Sequence, residues 1–326
     1  MRRRALLAAS LAAPGLASPA IVQAQGTWPS RPVRIVVPFT PGGASDIIIR
    51  PVAARLEQML GRSFVIENRA GGGGAVGAGV VAAERPDGYT FLVSTPAPLV
   101  LLPQIMTGLT YNPDRAFSYV TLLGGAPIVC AVKGDSPIRT LADYAAAAKA
   151  RDEAVSYGSS GIGSVGHLTG VLFGMEAGAR LLHAPFRGAP EAQQAVLGGS
   201  TTSLWDTVGA NVAAIRAGNM RGLAVSSATR ASALPDVPTA VEAGFPAVVS
   251  TNWFLLAAPA GLDPAITARM DEAVQTILAD PTIRERHEAA GVVALPRMQP
   301  GDIAAWVASE KTRWTPVIRA SGAAAG

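Results

Sequence analysis

The sequence predicts an α/β fold of two lobes, each a mostly parallel sheet flanked by helices. Short runs rich in Val, Ile and Leu alternate with segments of helical periodicity along most of the 326 residues. That alternation is typical of βαβ units around sheets that are buried on both faces. The length is sufficient for two domains of ordinary size. The strand patterns form two successive sets, and the C-terminal segment is largely helical.

The first set of elements lies between residues 34 and 94. Its last strand follows the turn Pro86-Asp87-Gly88, whose residue types favour a reversal of the chain. The predicted strands cover residues 34–39, 64–68 and 89–94, and the predicted helices cover residues 45–60 and 76–84.

The second set begins after residues 121–125, and we expect it to pack as one lobe. Its strands are separated by amphipathic helices, as βαβ units require. The predicted strands cover residues 128–132, 155–157, 181–184, 203–205 and 222–225, and the predicted helices cover 141–149, 167–177, 191–197 and 208–217.

The C-terminal segment offers a strand at 253–258 and three helical patterns. The first of these opens with Asp263-Pro264, a helix cap followed by proline at the first helical position. Because the segment has few strands, we expect it to return and cover the first lobe. Lobe 1 would comprise residues 26–124 plus 246–326, and lobe 2 residues 125–245. Two crossings, near residues 124 and 246, would form a hinge beside a cleft, and such crevices are favoured ligand sites.

The N-terminus resembles a secretory leader. Arg2, Arg3 and Arg4 precede the apolar run Ala5–Leu16, and a small-residue site ends at Ala24. The apolar run is too short to span a bilayer. We therefore expect removal of residues 1–24, with cleavage after about Ala24, and export to the periplasm. Both the general secretory route and the twin-arginine route remain open.

The charge and the reactive side chains exclude several classes of function. The leader carries three of the 27 basic residues and none of the 23 acidic ones, so the mature chain has a net charge near +1. This balance gives no electrostatic footprint for nucleic acid. Cys130 is the lone cysteine, and His167, His183 and His287 are far apart without the spacing of zinc ligands. We expect no metal and no cofactor.

Two strand-to-helix junctions are rich in glycine and hydroxyl residues. They are Phe39–Asp46 and Tyr157–His167. Each lies at the start of a helix, where unpaired backbone N–H groups and the positive end of the helix dipole favour an anion. Glycine allows a ligand to approach the backbone closely. Two such junctions facing each other across a cleft would hold a carboxylate without a cationic side chain, and neither contains Lys or Arg.

The two glycine-rich junctions also have other interpretations. Either loop alone could be a tight turn. Gly161, Gly163 and Gly166 also satisfy the G-x-G-x-x-G pattern of a dinucleotide-dependent oxidoreductase, which is the alternative function. Such an enzyme requires an acidic residue at the end of the next strand. That strand, residues 181–185, contains none, so the dinucleotide reading is weaker.

The motifs themselves resemble those of a known family. Pro41–Asp46 resembles the PGGxxD loop of the tripartite tricarboxylate transporter receptors, often called Bug proteins, and Tyr157–Leu168 resembles their second loop, which ends in a His-Leu pair. Further matches run in order along the mature chain at residues 28–34, 67–72, 85–90, 185–188, 237–244 and 253–261.

This resemblance implies a type II periplasmic-binding-protein fold that closes on a small organic, amino or aromatic acid. It implies a monomeric receptor that delivers its ligand to a membrane permease and catalyses nothing. It also implies roles for single residues. The donors to the proximal carboxylate would be Gly42, Gly43, Ser45, Gly163 and Ser164, and Asp46 would cap the helix after the first loop. Ser94 and Thr95 would add contacts, and the distal part of the ligand would meet Arg187, Gly188 and Asp206. The predicted site is completed by Phe39, Thr40, Ser159, Ser160 and His167.

Some of these residues also have simpler roles. Arg187 can be a surface cation, Asp206 a helix cap, and His167 a helix-start residue bonded to backbone. The sequence departs from the commonest family pattern at Phe186-Arg187, where a Tyr-Lys pair is frequent, and at Trp205 before Asp206. These changes lie toward the distal end of the expected ligand, so the sequence leaves its identity open.

Overall fold

The structure is a computed structural model that describes residues 28–150, 152, 153 and 155–323. The predicted leader, residues 1–24, and its cleavage site lie outside the described residues. Within the described part, no helix is long and apolar enough to cross a bilayer.

The first sheet has the strand order β2-β1-β3-β9-β4. Its first three strands are parallel. β9 pairs antiparallel with β3, and β4 pairs antiparallel with β9. The elements are β1 Val33–Val37, α1 Ala44–Leu60, β2 Phe64–Asn68, α2 Ala75–Ala82, β3 Thr90–Ser94, β4 Phe117–Lys133 and β9 Thr251–Pro259.

The second sheet is built on the far half of β4. β7 and β8 lie antiparallel on its two sides, and β5 and β6 continue parallel to β7. The elements are α3 Leu141–Lys149, β5 Ser156–Ser159, α4 Val165–Ala177, β6 Leu182–Pro185, α5 Ala189–Leu197, β7 Ser203–Thr207, α6 Val208–Arg216 and β8 Met220–Val225.

One strand, β4, belongs to both sheets. Residues 117–127 pair with β9, and residues 128–133 pair with β7 and β8. The sequence indicated a strand only at 128–132, whereas the structure has a continuous strand of 17 residues. Its register with β9 shifts between Leu122 and Gly124, and Gly124 has a left-handed φ of 138° that a side chain would rarely adopt.

The register along β4 shows which edges of the two sheets face each other. The carboxyl end of β3, Ser94, pairs with Leu255, and Leu255 pairs with Leu122. The carboxyl end of β7, Thr207, pairs with Ile128. The two strand ends therefore approach the linking residues of β4 from opposite sides. Since β1, β2 and β3 are parallel, as are β5, β6 and β7, the loops after all six strands face the space between the sheets.

The C-terminal segment forms α7 Pro264–Ala279, α8 Pro281–Ala289 and α9 Pro300–Ala320. Asp263 caps α7 by accepting the N–H of Ala265, and proline follows it, which confirms the predicted helix start. α7 and α8 pack on α1 of the first sheet. α9 packs on β4 but also contacts α4 of the second sheet, so the C-terminal helix lies against both halves of the molecule.

Candidate functional site

The first loop leaves two backbone donors unbonded at the start of α1. Gly43 is the N-cap residue, with φ −72° and ψ 169°, and no side chain caps the helix. The N–H groups of Asp46 and Ile47 bond to the carbonyl of Gly43. Among the described hydrogen bonds, the N–H groups of Ala44 and Ser45 have no acceptor. They are available to an anion at the positive end of the helix dipole.

Asp46 has a different role from the predicted one. It lies in the first turn of α1 rather than at the N-cap. Its carboxylate accepts the N–H of Gly42 at 2.9 Å, pairs with Arg50 at 2.7 and 2.8 Å, and accepts from Asn68 at 3.1 Å. Burial alone would raise the pKa of Asp46. The hydrogen bonds from Arg50, Gly42 and Asn68 together have the larger effect, and the pKa of Asp46 lies below its usual value. Asp46 therefore braces the loop, and the N–H of Gly42 is already engaged.

Other predicted residues of the first sheet frame this loop. The carbonyl of Phe39 accepts from Asn68 at 3.0 Å, and the exposed Thr40 accepts the N–H of Gly43 through its carbonyl at 3.3 Å. Ser94 ends β3, Thr95 follows it, and both are buried. The hydroxyl of Ser94 has no hydrogen-bond partner among the described residues.

The second loop is held by its own hydroxyl groups. Ser164 is the N-cap residue of α4 and accepts the N–H of His167 at 3.1 Å. The Ser164 hydroxyl also donates to Ser159 at 3.3 Å, and Ser159 accepts the N–H of Gly161 at 3.2 Å. Both hydroxyls are thus used inside the loop. Ser160, next in the chain, is exposed.

A stacked pair of histidines fixes the far side of this loop. The rings of His167 and His183 lie 3.9 Å apart with an interplanar angle of 19°. His167 Nδ1 accepts the N–H of Gly163 at 3.2 Å, so the proton of the neutral ring is on Nε2. His183 Nε2 lies 2.8 Å from the Ser159 hydroxyl. His167 is therefore bonded to backbone, and the N–H of Gly163 is engaged rather than free for a ligand.

His183 was not among the predicted site residues, because nothing in the sequence relates the three histidines to one another. The only signal was strand pairing. β5 and β6 are parallel neighbours in which Tyr157 lies beside His183. Had the adjacency of these strands been predicted, their register would have placed His183 under the second loop.

The histidine pair predicts how stability depends on pH. Burial lowers the pKa of His167 from 6.5 to about 4, and burial together with His167 lowers the pKa of His183 to about 3. Protons therefore bind more readily to the unfolded chain. The free energy of unfolding should therefore be highest above about pH 6.5, where His167 is neutral in both states. It should decrease by about 3 kcal/mol through this residue as the pH falls to 4.

Urea unfolding of the wild type and of His167→Asn between pH 7 and pH 4 measures this effect. Asparagine retains an acceptor for the N–H of Gly163 but does not titrate. The variant removes the titration of His167 and also its effect in lowering the pKa of His183, and both changes should give a flatter pH profile. Equal slopes in the two proteins would contradict a buried neutral His167.

The donors that remain free at the start of the helix are the first amides of α4. The N–H groups of Val165 and Gly166 have no acceptor among the described hydrogen bonds. Gly166 also sets the position of the helix, because a Cβ atom there would lie 2.1 Å from the carbonyl oxygen of Trp205 in β7. The structure thus engages the amides of the predicted Gly42 and Gly163 and leaves free donors in the first turns of α1 and α4, the predicted Ser45 among them.

The predicted distal residues lie at the ends of β6 and β7. Arg187 is exposed, its N–H donates to Glu191 at 3.2 Å, and its guanidinium makes no ion pair in the described part of the chain. Gly188 is the N-cap residue of α5. Asp206 is 4% exposed and accepts the N–H of Thr207 at 2.6 Å through Oδ1. It does not cap α6, whose N-cap residue is Thr207.

A helical segment, Ala97–Leu101 and Leu102–Gln104, lies next to the second loop. A Cβ atom on Gly163 would lie 2.9 Å from the Leu102 side chain, and one on Gly73 would lie 3.0 Å from it. One on the adjacent Gly74 would lie 3.2 Å from the ring of Phe39. A chain of contacts therefore links the two loops: Phe39 of the first loop lies beside Gly74, Gly73 lies beside Leu102, and Leu102 lies beside Gly163 of the second loop.

Two cavities lie away from these loops. One of about 230 Å³ is lined by α7, α8 and residues 292–297, and one of about 430 Å³ lies between α9 and residues 247–253. Within the described ranges, no cluster of three or more His, Cys, Asp or Glu side chains is arranged to hold a metal ion.

Comparison with known proteins agrees with this architecture. The family model for the tripartite tricarboxylate transporter family receptor matches residues 48–323. Protein BugT of Bordetella pertussis is 33% identical over 326 residues, covering 99% of this chain and 98% of BugT.

Two solved structures are also similar. An R. palustris protein with adipate has a TM-score of 0.83 at 32% identity, covering 90% of this chain and 98% of its own. MatC from Rhodopseudomonas palustris with bound malate has a TM-score of 0.79 at 30% identity, covering 89% of this chain and 100% of its own. The chain belongs to the tripartite tricarboxylate transporter receptor family, which consists of periplasmic solute-binding receptors with the two-lobed type II fold.

Proposed function

We propose that this chain captures a small carboxylic acid between its lobes and delivers it to the membrane permease of a tripartite tricarboxylate transporter. It acts as a periplasmic monomer after removal of residues 1–24, and it catalyses no reaction. We assign residues 26–124 and 246–326 to lobe 1 and residues 125–245 to lobe 2. The ligand is an organic, amino or aromatic acid.

The observation that supports this proposal most strongly is a pair of helix starts on facing edges, each with free backbone N–H groups in its first turn. α1 presents the free N–H groups of Ala44 and Ser45, and α4 presents those of Val165 and Gly166. Four amide donors at two positive dipole ends favour an anion with several acceptor atoms. A carboxylate has two oxygens and can bond to both helices.

The ligands of similar proteins have the same chemistry. Adipate and malate, named with the two R. palustris proteins, are both carboxylic acids. The proposal that this chain also binds a carboxylate rests on its similarity to these proteins and on the free amide donors. A ligand bridging two lobes shifts the protein toward its closed state, because only that state makes both sets of contacts.

A thermal-shift screen followed by calorimetry tests the proposal. The mature chain is mixed with mono-, di- and tricarboxylates, amino acids and aromatic acids, with the amide of each acid as its matched control and with NAD. We expect at least one acid to stabilise the fold by about 2.7 kcal/mol at 100 times its Kd. The corresponding amide should have little effect, because it lacks the negative charge. Stabilisation by NAD and by none of the acids would favour the dinucleotide alternative.

A further inference from the structure

The carboxylate of Asp206 is buried and only half satisfied. Its Oδ1 accepts the N–H of Thr207 at 2.6 Å and the Thr207 hydroxyl at 3.4 Å, whereas Oδ2 has no hydrogen-bond partner among the described residues. No Lys or Arg pairs with it in the described ion pairs. A buried carboxylate oxygen without a donor is costly, so such a group commonly marks a functional position.

Asp206 lies beside the proposed carboxylate site. It follows Trp205 in β7, at the strand end that faces the other sheet. A Cβ atom on Gly166 would lie 3.4 Å from the Cα atom of Asp206, so this residue contacts the first turn of α4. Ser160 of the second loop is its other polar neighbour. A ligand held by the α4 amides would therefore lie close to the Asp206 side chain.

The position of one acid group beside another restricts the ligand. Burial raises the pKa of Asp206, against the opposing effect of the hydrogen bonds from Thr207 and of the nearby Ser160. A ligand carboxylate at the start of α4 adds a second negative charge nearby. A hydroxyl or ammonium group on the ligand would donate a hydrogen bond to the unpaired oxygen of Asp206. An ammonium group would also place a positive charge beside the two carboxylates.

We propose that Asp206 accepts a hydrogen bond from a hydroxyl or ammonium group of the ligand, so that the receptor selects hydroxy or amino acids over plain carboxylic acids. This inference rests on the proposed function of the same site. It is a specificity role within the cleft, and it leaves the α1 and α4 amides as the carboxylate donors.

Matched ligands test this selection by calorimetry on the mature protein. Succinate, malate and aspartate differ at one carbon by hydrogen, hydroxyl and ammonium, and propionate, lactate and alanine repeat the series with one carboxylate. We expect the donor-bearing member of at least one series to bind at least 10-fold more tightly than its plain acid. Hydroxyl and ammonium are separate arms, so the comparison also identifies the donor.

Variants distinguish recognition from a structural role. Asp206→Asn should reduce the preference for the donor-bearing acid to within about 3-fold, with the larger loss for an ammonium ligand, and should not weaken binding of the plain acid, because it removes a negative charge beside the ligand carboxylate. Asp271→Asn is the matched control. Asp271 is also buried with one unpaired oxygen, but it lies on α7 and pairs with Arg297 at 3.2 Å. Its replacement should leave the ligand ranking unchanged.

The outcomes separate the two proposals. If acids bind the wild type but plain acids bind as tightly as donor-bearing ones, or if Asp206→Asn keeps the wild-type ranking, the role of Asp206 is overturned while the receptor function stands. In that case Ser160 or a buried water satisfies the carboxylate. If no acid binds the wild type, the proposed function fails, and the inference fails with it.

Discussion

Gly43→Asp is expected to abolish ligand binding while leaving the free protein as stable as the wild type or more stable. Gly43 is the N-cap residue of α1, and its φ of −72° and ψ of 169° suit any residue. An aspartate there can accept the free N–H of Ser45 with its own carboxylate. It would occupy the place proposed for the ligand and would repel a second anion.

The two effects have opposite signs, which makes the test specific. Replacing an N-cap glycine by aspartate gains a few tenths of a kcal/mol from capping and up to about 1 kcal/mol from the helix dipole. Ligand affinity should fall at least about 100-fold, which corresponds to about 2.7 kcal/mol. Urea unfolding measures the first effect and calorimetry with the best acid from the screen measures the second.

Gly43→Ala is the matched control for this variant. Its Cβ atom would lie 3.3 Å from the carbonyl oxygen of Thr40, a tight contact that a small shift relieves. Alanine has no side-chain acceptor for the free N–H of Ser45, so ligand affinity should change less than 10-fold. Wild-type affinity in Gly43→Asp would show that the start of α1 is not part of the binding site.

Gly166→Ala is expected to destabilise the protein and to weaken binding together. The added Cβ atom would lie 2.1 Å from the carbonyl oxygen of Trp205 and 3.0 Å from its carbonyl carbon. Because both contacts are with backbone, α4 must move away from β7. Overpacking of this kind costs about 1–3 kcal/mol, and the shift carries the amides of Val165 and Gly166 with it.

Gly301→Ala controls for the loss of a helical glycine. Gly301 lies in the first turn of α9 with open space where the Cβ atom would be. This change should be neutral or stabilising by up to about 1 kcal/mol. If Gly166→Ala unfolded at the wild-type urea concentration, the close contact between α4 and β7 would be refuted. Full affinity in a destabilised Gly166→Ala protein would exclude the start of α4 from the site.

The elements of the fold were largely predictable because each has a local signature. β1, α1, β2 and β3 follow from apolar runs, helical periodicity and the turn at residues 86–88. The role of β4 did not follow. Residues 120–132 are all buried, so they show no alternation, and a continuous apolar run does not reveal which sheet it joins. The antiparallel places of β4 and β9 depend on pairing between distant residues.

The candidate site was predictable in outline but not in its atoms. Both glycine-rich loops were identified from residue types that suit a helix start. Ser45 was a predicted donor, whereas Ala44, Val165 and Gly166 were not; the predicted Gly42 and Gly163 are not free, because Asp46 engages the amide of Gly42 and His167 engages that of Gly163. Those two hydrogen bonds depend on loop conformations that composition does not specify.

The sequence by itself determined the α/β class, the order of the elements, the two anion-ready loops and the family, since each depends on residues close together in the chain or on motifs in order. Only the tertiary structure decided that β4 joins both sheets, that His183 stacks on His167, and that Asp206 is left with an unpaired oxygen beside α4. The physical reason is that these contacts join residues from separate strands, and their geometry is set by the register of the sheets and by packing between helices.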